Sequence, residues 1–339
     1  MSSIIKPSRR SFVKTAAGAS AGIVFGVPML AKAAPMTVKL ATVAPKNSTW
    51  GKGFAKLSRE IPELSDGAVK LKVFYNGVQG DEAAMVTKMR SGQLDGAGLT
   101  AAGLGLIAPE MRMLQLPMLF SKWKQLDKVR EVMKPRFDQL LSNGGVVSMG
   151  FGDVGRTNIY SNVPVVRISD ILNTKIWEPP DPVAAEILKV AGVNGIPLAI
   201  PDLLPAMSTK QIDALVFPAY ALFALQLYTH VTDVLNMTLS MAIGGMVLNQ
   251  STYARLEQFH DKMDEVSKTT LGTMNKKIRR ADSKAKKAFV EAGIRVNQVE
   301  DITEWLLMSA KVRENLTGAG KMFSQKDVDD MLAAATSAG

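Results

Sequence analysis

The sequence contains no cysteine, and its only histidines are His230 and His260. A chain without cysteine forms no disulfide and has no thiolate for catalysis, for an iron–sulfur cluster or for zinc. The two histidines are far apart in the chain and have no partner at the spacing of metal ligands, so neither a histidine metal site nor a serine–histidine relay is expected. We therefore predict that the protein binds no metal and no cofactor.

Catalytic sequence motifs are missing as well. Beyond residue 33 there is no G-x-S-x-G, H-E-x-x-H or phosphate-binding P-loop pattern. The acidic pair Asp81 and Glu82 stands where a helix is expected to begin, and helix capping explains it better than acid–base catalysis. The sequence thus predicts that the protein is not an enzyme.

The excess of basic residues does not indicate a nucleic-acid-binding protein. The formal net charge is +10, but five of the lysines and arginines fall within residues 1–33, which leaves +5 for the remainder. A basic run over residues 276–287 has no interleaved aromatic residues and matches no nucleic-acid-binding motif, so it indicates a solvated helix face. We expect no nucleic-acid partner.

Residues 1–33 have the pattern of a secretory signal peptide: a basic start, an apolar stretch over residues 16–30 and a final Ala-Lys-Ala. The segment SRRSFVK, residues 8–14, resembles the twin-arginine export signal of bacteria. An ordinary basic signal is the alternative, and whether the leader is cleaved or retained as an anchor stays open. In each case the protein leaves the cytoplasm, and we predict a periplasmic location.

The first part of the mature chain alternates strands and helices. The pattern predicts strands at residues 36–43, 69–74 and 92–99, with helices at 50–61 and 81–90 between them. This β-α-β-α-β order is typical of a parallel sheet with helices on both faces, which binds ligands at the carboxyl ends of its strands.

A second α/β unit is expected further along the chain. A strand over residues 144–151 is followed by a break at 152–156, and the alternation of strands and helices then resumes over 157–217. Residues 252–292 have the pattern of one long amphipathic helix. The pattern therefore predicts two α/β units in tandem and a helical C-terminal part.

Several segments together resemble the DctP family, the solute-binding proteins of tripartite ATP-independent periplasmic (TRAP) transporters. The likeness covers nearly the whole mature chain and depends on the order and spacing of the segments. They are the opening ATVAPKNSTWGKGFAKLSREIPELSDGAVKLKVFYNGVQGDEAAMVTKMRSGQLDGAGLT and the later LQLPMLF, GRTNIYSNVPV, DILNTKIW, QIDALVFPAYAL and MVLNQSTYARL.

The resemblance implies an α/β fold of two lobes that close over a small ligand, with discontinuous lobes, mixed sheets flanked by helices and a long C-terminal helix that spans both lobes. Lobe I is expected to comprise residues 34–155 and about 242–275, and lobe II residues 156–241 and about 276–339. The resemblance also implies a small-molecule ligand and delivery of that ligand to TRAP-type permease subunits. We expect a monomer.

Two positions depart from the family pattern. Selectivity in the family usually rests on an arginine whose guanidinium forks onto a ligand carboxylate, and Trp177 stands at that position here. Phe217 replaces an asparagine that precedes a proline. Aromatic faces favour apolar surface, whereas a buried carboxylate without a cation is costly. We predict an apolar or amphipathic ligand, with simple core packing as the alternative for both residues.

Five further residues are candidates for the site. Arg156 matches an auxiliary arginine that contacts ligand in some members of the family, and an interlobe salt bridge is its alternative. Tyr220 either lines the pocket or packs in the core. Trp50, Leu99 and Thr100 stand at strand ends of the first unit, where loops line the cleft in this architecture.

Two other functions stay open from the sequence. One is a periplasmic lipid or isoprenoid carrier that works without a permease, for which VVSMGFGDVG and LVFPAYALFALQLY supply apolar surface. The other is a conventional receptor for organic acids.

Overall fold

The computed structural model describes residues 34–338. The proposed signal peptide, residues 1–33, lies outside the described residues, so the twin-arginine motif and the cleavage site stay predictions. None of the helices in the described part has an apolar stretch long enough to span a bilayer.

The strands within residues 34–338 are β1 (Met36–Thr42), β2 (Val69–Phe74), β3 (Gly96–Thr100), β4 (Val146–Ser161), β5 (Trp177–Glu178), β6 (Ile196–Pro197), β7 (Ala214–Pro218), β8 (Asp233–Leu235), β9 (Ser240–Asn249) and β10 (Arg295–Asn297).

The α-helices in the same range are α1 (Thr49–Leu64), α2 (Glu82–Arg90), α3 (Ala101–Leu104), α4 (Trp123–Asn143), α5 (Pro182–Val190), α6 (Leu203–Ser208), α7 (Ala219–Ala224), α8 (Gln250–Ala254), α9 (His260–Asp282), α10 (Ala285–Glu291), α11 (Ile302–Leu316) and α12 (Gln325–Ser337). Short 3-10 turns fill several of the connections.

The β-α-β-α-β pattern at the start of the mature chain is confirmed. Strand β1 pairs in parallel with both β2 and β3, so that Met36 lies opposite Val69 and Leu40 opposite Gly96. Helix α1 begins at the N-cap Ser48, whose side chain accepts a hydrogen bond from a backbone amide of the first turn. The carboxyl ends of β1 and β3 therefore lie side by side at one edge.

The main sheet is mixed and continuous. Its strand order is β10-β8-β4-β9-β3-β1-β2, with β7 also paired to β4, and β5 and β6 form a small parallel sheet of their own. Strands β4 and β9 run antiparallel through the middle, joining β1–β3 on one side to β7, β8 and β10 on the other. The two α/β units are thus two halves of a shared sheet.

The predicted strand break at 152–156 is wrong. Strand β4 runs through it, because its register against β9 shifts between Ser148 and Gly150 and again between Asp153 and Gly155. Each shift is a bulge that absorbs an extra residue without ending the strand. Gly155 adopts a φ of 138°, a conformation that favours glycine.

Strand β9 was not predicted, because its central Gly244-Gly245 pair is typical of a turn. Here the glycine serves close packing. A Cβ on Gly244 would lie 2.9 Å from the carbonyl oxygen of Leu99 and 3.0 Å from the Trp50 ring. Because Gly244 has no side chain, strand β3 and the indole of Trp50 can both approach the strand closely.

The single helix predicted over residues 252–292 is also wrong in extent. The chain forms α8, a 3-10 turn, the 23-residue α9 and then α10. Leu256, which is 1% exposed, lies in the core between α8 and α9, and its φ of −105° and ψ of 14° depart from helical values. Helix α9 buries Met274 and Ile278 against α1 and β4.

Candidate ligand-binding cavity

A cavity of about 350 Å³ lies between the two halves of the molecule, which is in the size range of small-molecule sites. One side is formed by the ends of β1 and β3 with the first turns of α1 and α2. The other side is formed by the end of β7, the loops around β5 and β6, and helices α5 and α7. Strands β4 and β9 form the floor between them. This is the position predicted from the carboxyl ends of the parallel strands.

Trp177 and Phe217 form an aromatic wall in this cavity. Their rings meet edge to face with centroids 5.6 Å apart, and both side chains are about 5% exposed or less. The indole Nε1 of Trp177 donates a hydrogen bond of 2.8 Å to the carbonyl oxygen of Leu198, which fixes the ring orientation. Ligand contact by either ring stays a prediction.

Trp50 lies at the floor of the cavity. Its Nε1 donates to the backbone oxygen of Asp153 at 2.8 Å, and its ring covers Gly152 and Gly244 of the two central strands. A Cβ on Gly152 would lie 2.8 Å from the indole. The ring is therefore held rigidly on the bend of β4.

Leu99 and Thr100 also line the cavity, at the end of β3. Leu99 is 2% exposed and belongs to the core that packs on α2 and α4. Thr100 caps α3 and is bonded to Glu82: its backbone N–H donates at 2.5 Å and its hydroxyl lies 2.6 Å from the carboxyl group. Burial raises the pKa of Glu82, and the hydrogen bonds from Thr100 act against that rise.

Tyr220 connects the two sides of the cavity. Its hydroxyl oxygen, at the first turn of α7, accepts a hydrogen bond of 2.5 Å from the backbone N–H of Thr49 at the start of α1. The ring lines the cavity. The sequence left open whether Tyr220 lines a pocket or packs, and the structure places it where it does both.

The part of the cavity wall that residues 34–338 form carries no positive charge. Of the residues between 34 and 338 that line it, none is lysine, arginine or histidine, and the acids are Asp81 and Glu82. Asp81 caps α2 as predicted, since its carboxylate accepts a 2.8 Å hydrogen bond from the amide of Ala84. Within the same residues no cluster of three acidic or histidine side chains has the arrangement of a metal site.

Arg156 is the one predicted site residue that the structure does not place on the cavity wall. Its backbone N–H donates to Asp282 at 2.8 Å, and its guanidinium lies 5.5 Å from the ring centre of Trp123. It belongs to a group on the opposite face of β4, which we call the β4 cluster, formed by Trp123, Asp127, Arg130, Asp153, Arg156, Arg279 and Asp282. Ligand contact by Arg156 stays a prediction that this conformation does not support.

Asp153 is the centre of the β4 cluster. It is fully buried, and its two carboxylate oxygens accept hydrogen bonds of 2.6 Å from Arg130 and from Arg279. Arg279 also forks onto Asp127 at 2.6 and 2.7 Å. The cluster thereby connects α4, β4 and α9 behind the cavity.

Several wall residues were missed from the sequence. Pro179 and Pro180 follow β5 directly, and a proline pair after a strand is the signal that could have found them. Trp305 and Met308 reach the cavity from α11, more than a hundred residues further on, and no local pattern predicts that contact.

The family model "Bacterial extracellular solute-binding protein, family 7" (DctP) matches residues 40–316. Among curated proteins, a solute-binding protein of Chromohalobacter salexigens is 21% identical over 266 residues, which are 76% of this chain and 78% of the relative.

Two solved structures share the fold with TM-scores of 0.83. One is the sugar acid binding protein DctPAm from Advenella mimigardefordensis in complex with galactonate, at 21% identity, covering 90% of this chain and 99% of the other. The second is a TRAP periplasmic solute-binding protein from Shewanella oneidensis with bound succinate, at 14% identity, covering 89% and 100%. The two-lobed periplasmic binding protein fold is thereby confirmed.

Proposed function

We propose, because this chain belongs to the DctP family of bacterial extracellular solute-binding proteins, that it captures a small organic molecule with a largely apolar body and delivers it to a TRAP-type permease. The family consists of receptors and not of enzymes, in agreement with the sequence. The family is periplasmic, and we propose export through the twin-arginine signal at residues 8–14.

The observation that carries the ligand class is the composition of the cavity wall. Trp177 and Phe217 offer aromatic faces, and prolines and aliphatic side chains complete the second side. Burying an apolar ligand surface there gains roughly 25 cal/mol per Å². A carboxylate taken out of water finds no guanidinium or ammonium on the described wall, and an unpaired buried charge is strongly unfavourable.

A second candidate ligand is an organic acid. The structures that resemble this chain contain galactonate and succinate, and these relatives favour an acid over an apolar ligand. A lipid or isoprenoid carrier that needs no permease is a third possibility, and the same apolar wall supports it. We place the ligand with an apolar body first, because the residues that line the cavity of this chain determine which ligand it binds.

Capture requires that the lobes move, and we propose that they rotate about β4 and β9. The bulge between Asp153 and Gly155 supports this position, since it interrupts the register beside Ala242. Residues 34–155 with about 242–275 would form lobe I, and 156–241 with about 276–339 lobe II. The bond between Tyr220 and Thr49 would then hold the closed form, in a monomer.

Native mass spectrometry of the purified protein tests the ligand class, because tightly bound ligands of such receptors can survive purification. The extracted molecule is identified, and calorimetry then compares it with succinate and galactonate. An apolar or amphipathic molecule that binds at least tenfold more tightly than both acids supports the first candidate. Tight binding of either acid, with no binding of apolar compounds, would overturn it in favour of the second.

A further inference from the structure

Glu82 is an acidic residue on the wall of the cavity. It is the first residue of α2, and its side chain is half-buried with the cavity on one side. The neighbouring Asp81 performs the helix capping, so Glu82 is free of that role. Its carboxyl group instead reaches across to the end of β3.

At the end of β3, Glu82 accepts hydrogen bonds from the donors that a ligand anion would otherwise use. Its Oε1 accepts from the backbone N–H of Thr100 at 2.5 Å, and its Oε2 lies 2.6 Å from the Thr100 hydroxyl. The backbone N–H of Gly103 donates to the Thr100 hydroxyl oxygen at 3.4 Å, and its hydrogen bonding to Glu82 also lowers the pKa of that carboxyl group. A Cβ on Gly103 would lie 2.8 Å from the carboxyl carbon, so glycine is needed for this approach.

These contacts have two consequences for a ligand. The backbone and hydroxyl donors at the end of β3 are already used, so a ligand carboxylate placed there would find no partner. Burial raises the pKa of Glu82, and at a pH above that raised pKa a second negative charge in the same cavity would be repelled, since none of the lining side chains between residues 34 and 338 is cationic.

A ligand hydroxyl or ammonium group, by contrast, can donate a hydrogen bond to Glu82. A carboxylate has about four lone-pair sites, and Thr100 and Gly103 engage three of them. One acceptor site remains for a ligand donor, and a hydrogen bond that involves a charged group is stronger than a neutral one.

We propose that Glu82 is a specificity-determining residue, a built-in carboxylate that makes the cavity reject anionic head groups and accept neutral or cationic hydrogen-bond donors. This inference depends on the proposed function, because it assigns the head group of a ligand whose body fits the apolar wall.

The test uses three ligands with one aromatic body and different heads: 3-phenylpropan-1-ol, 3-phenylpropylamine and 3-phenylpropionic acid. Calorimetry at pH 8 with the full mature protein should show the acid binding at least tenfold more weakly than the alcohol and the amine. In Glu82→Gln the difference between acid and alcohol should shrink at least tenfold, because the amide keeps an acceptor for Thr100 and removes the charge.

Glu60→Gln is the control. Glu60 pairs with Lys56 on α1 and is not among the residues that line the cavity, so this variant removes one negative charge without changing the cavity wall. The difference between acid and alcohol should change less than threefold. An equal effect in both variants would overturn the assignment to Glu82, as would an acid that binds the unmodified protein as tightly as the alcohol.

The outcome separates this inference from the proposed function. An acid that binds best overturns the role of Glu82 and leaves the receptor intact. If none of the three compounds binds, the same three heads are attached to the scaffold of the co-purified molecule and compared again with both variants. A purified protein that neither carries nor binds any small molecule contradicts the proposed function itself.

Discussion

The two faces of strand β4 differ sharply in charge. On one face Val154, Thr157 and Ile159 form the floor of an apolar cavity without a cation among its described lining residues. On the other face Asp153 and Arg156 join the β4 cluster, where arginines and aspartates are packed around Trp123. The same strand thus separates a site suited to uncharged surface from a group of ion pairs.

The bulge in β4 decides which residue faces which side. Side chains alternate along a regular strand, so Arg156 would share a face with Val154. The extra residue between Asp153 and Gly155 reverses the alternation. Thr157 therefore joins Val154 at the cavity, while Arg156 lies against Trp123. The charge difference between the faces depends on one irregularity that the sequence does not reveal.

The largest effect is expected when the centre of the β4 cluster is neutralised. Asp153→Asn leaves Arg130 and Arg279 without their shared carboxylate in a buried place. Removing one partner of a buried ion pair costs about 3–5 kcal/mol. Urea denaturation followed by circular dichroism should show that loss of unfolding free energy.

Asp138→Asn serves as the control for this experiment. Asp138 pairs with Lys134 on the exposed side of α4, where an ion pair contributes no more than about 1 kcal/mol. Equal losses in Asp153→Asn and Asp138→Asn would mean that the cluster contributes no special stability to the strand.

A smaller effect, dependent on pH, is expected from Asp282. Burial and the nearby charge of Asp153 raise the pKa of Asp282 to about 6, although its bond with the Arg156 amide and the charge of Arg156 lower it. An unfolded aspartate titrates near 4. The folded protein therefore holds this proton more tightly than the unfolded chain, and burial of the charged form weakens folding as pH rises from about 4 to 6.

The difference in unfolding free energy between the unmodified protein and Asp282→Asn measures this contribution. As pH rises from 4 to 6, the unmodified protein should lose about 2–3 kcal/mol of unfolding free energy relative to Asp282→Asn. Above pH 6 the difference should stay constant. A difference that does not change with pH would contradict the raised pKa and leave the cluster as a set of ordinary ion pairs.

The first half of the sheet could be predicted from the sequence, and the central strands could not. Strand β2 begins and ends where the pattern places it, because Val69 to Phe74 follow a clear turn. In β9 the Gly244-Gly245 pair suggests a turn, and the close packing of Trp50 and the Leu99 carbonyl against Gly244 explains why glycine stands inside a strand. Local sequence patterns reflect intrinsic propensity, whereas a tertiary contact determines the position of this glycine pair.

The same contrast applies to the candidate site. Strand ends and the family resemblance predict six of the residues that the structure brings around one cavity: Trp50, Leu99, Thr100, Trp177, Phe217 and Tyr220. Glu82 was assigned to capping, because its bond to Thr100 depends on how α2 lies beside β3. Residues placed by topology could be predicted, whereas those placed by side-chain packing could not.

A substitution that places a guanidinium on the cavity wall would reduce the difference in charge between the two sides of β4. Trp177→Arg removes an apolar wall and adds a cation, so affinity for an apolar ligand should fall at least tenfold and affinity for the matching acid should rise. Calorimetry on the same ligand series measures both. Trp177→Phe, which keeps the apolar wall and loses the bond to Leu198, should preserve the order of the ligands. Unchanged affinities in Trp177→Arg would count against a pocket role for this residue.

The smallest effect is expected at Arg156. Since its side chain lies in the β4 cluster, Arg156→Gln should change the affinity for acids and for apolar ligands less than threefold. Thermal unfolding of the variant, measured alongside, shows whether the cluster is weakened. A loss of acid binding by tenfold or more, with apolar binding intact, would show that the guanidinium reaches the ligand in the bound form. The guanidinium of Arg156 would then move from the β4 cluster to the cavity during capture, and the organic acid would become the preferred ligand.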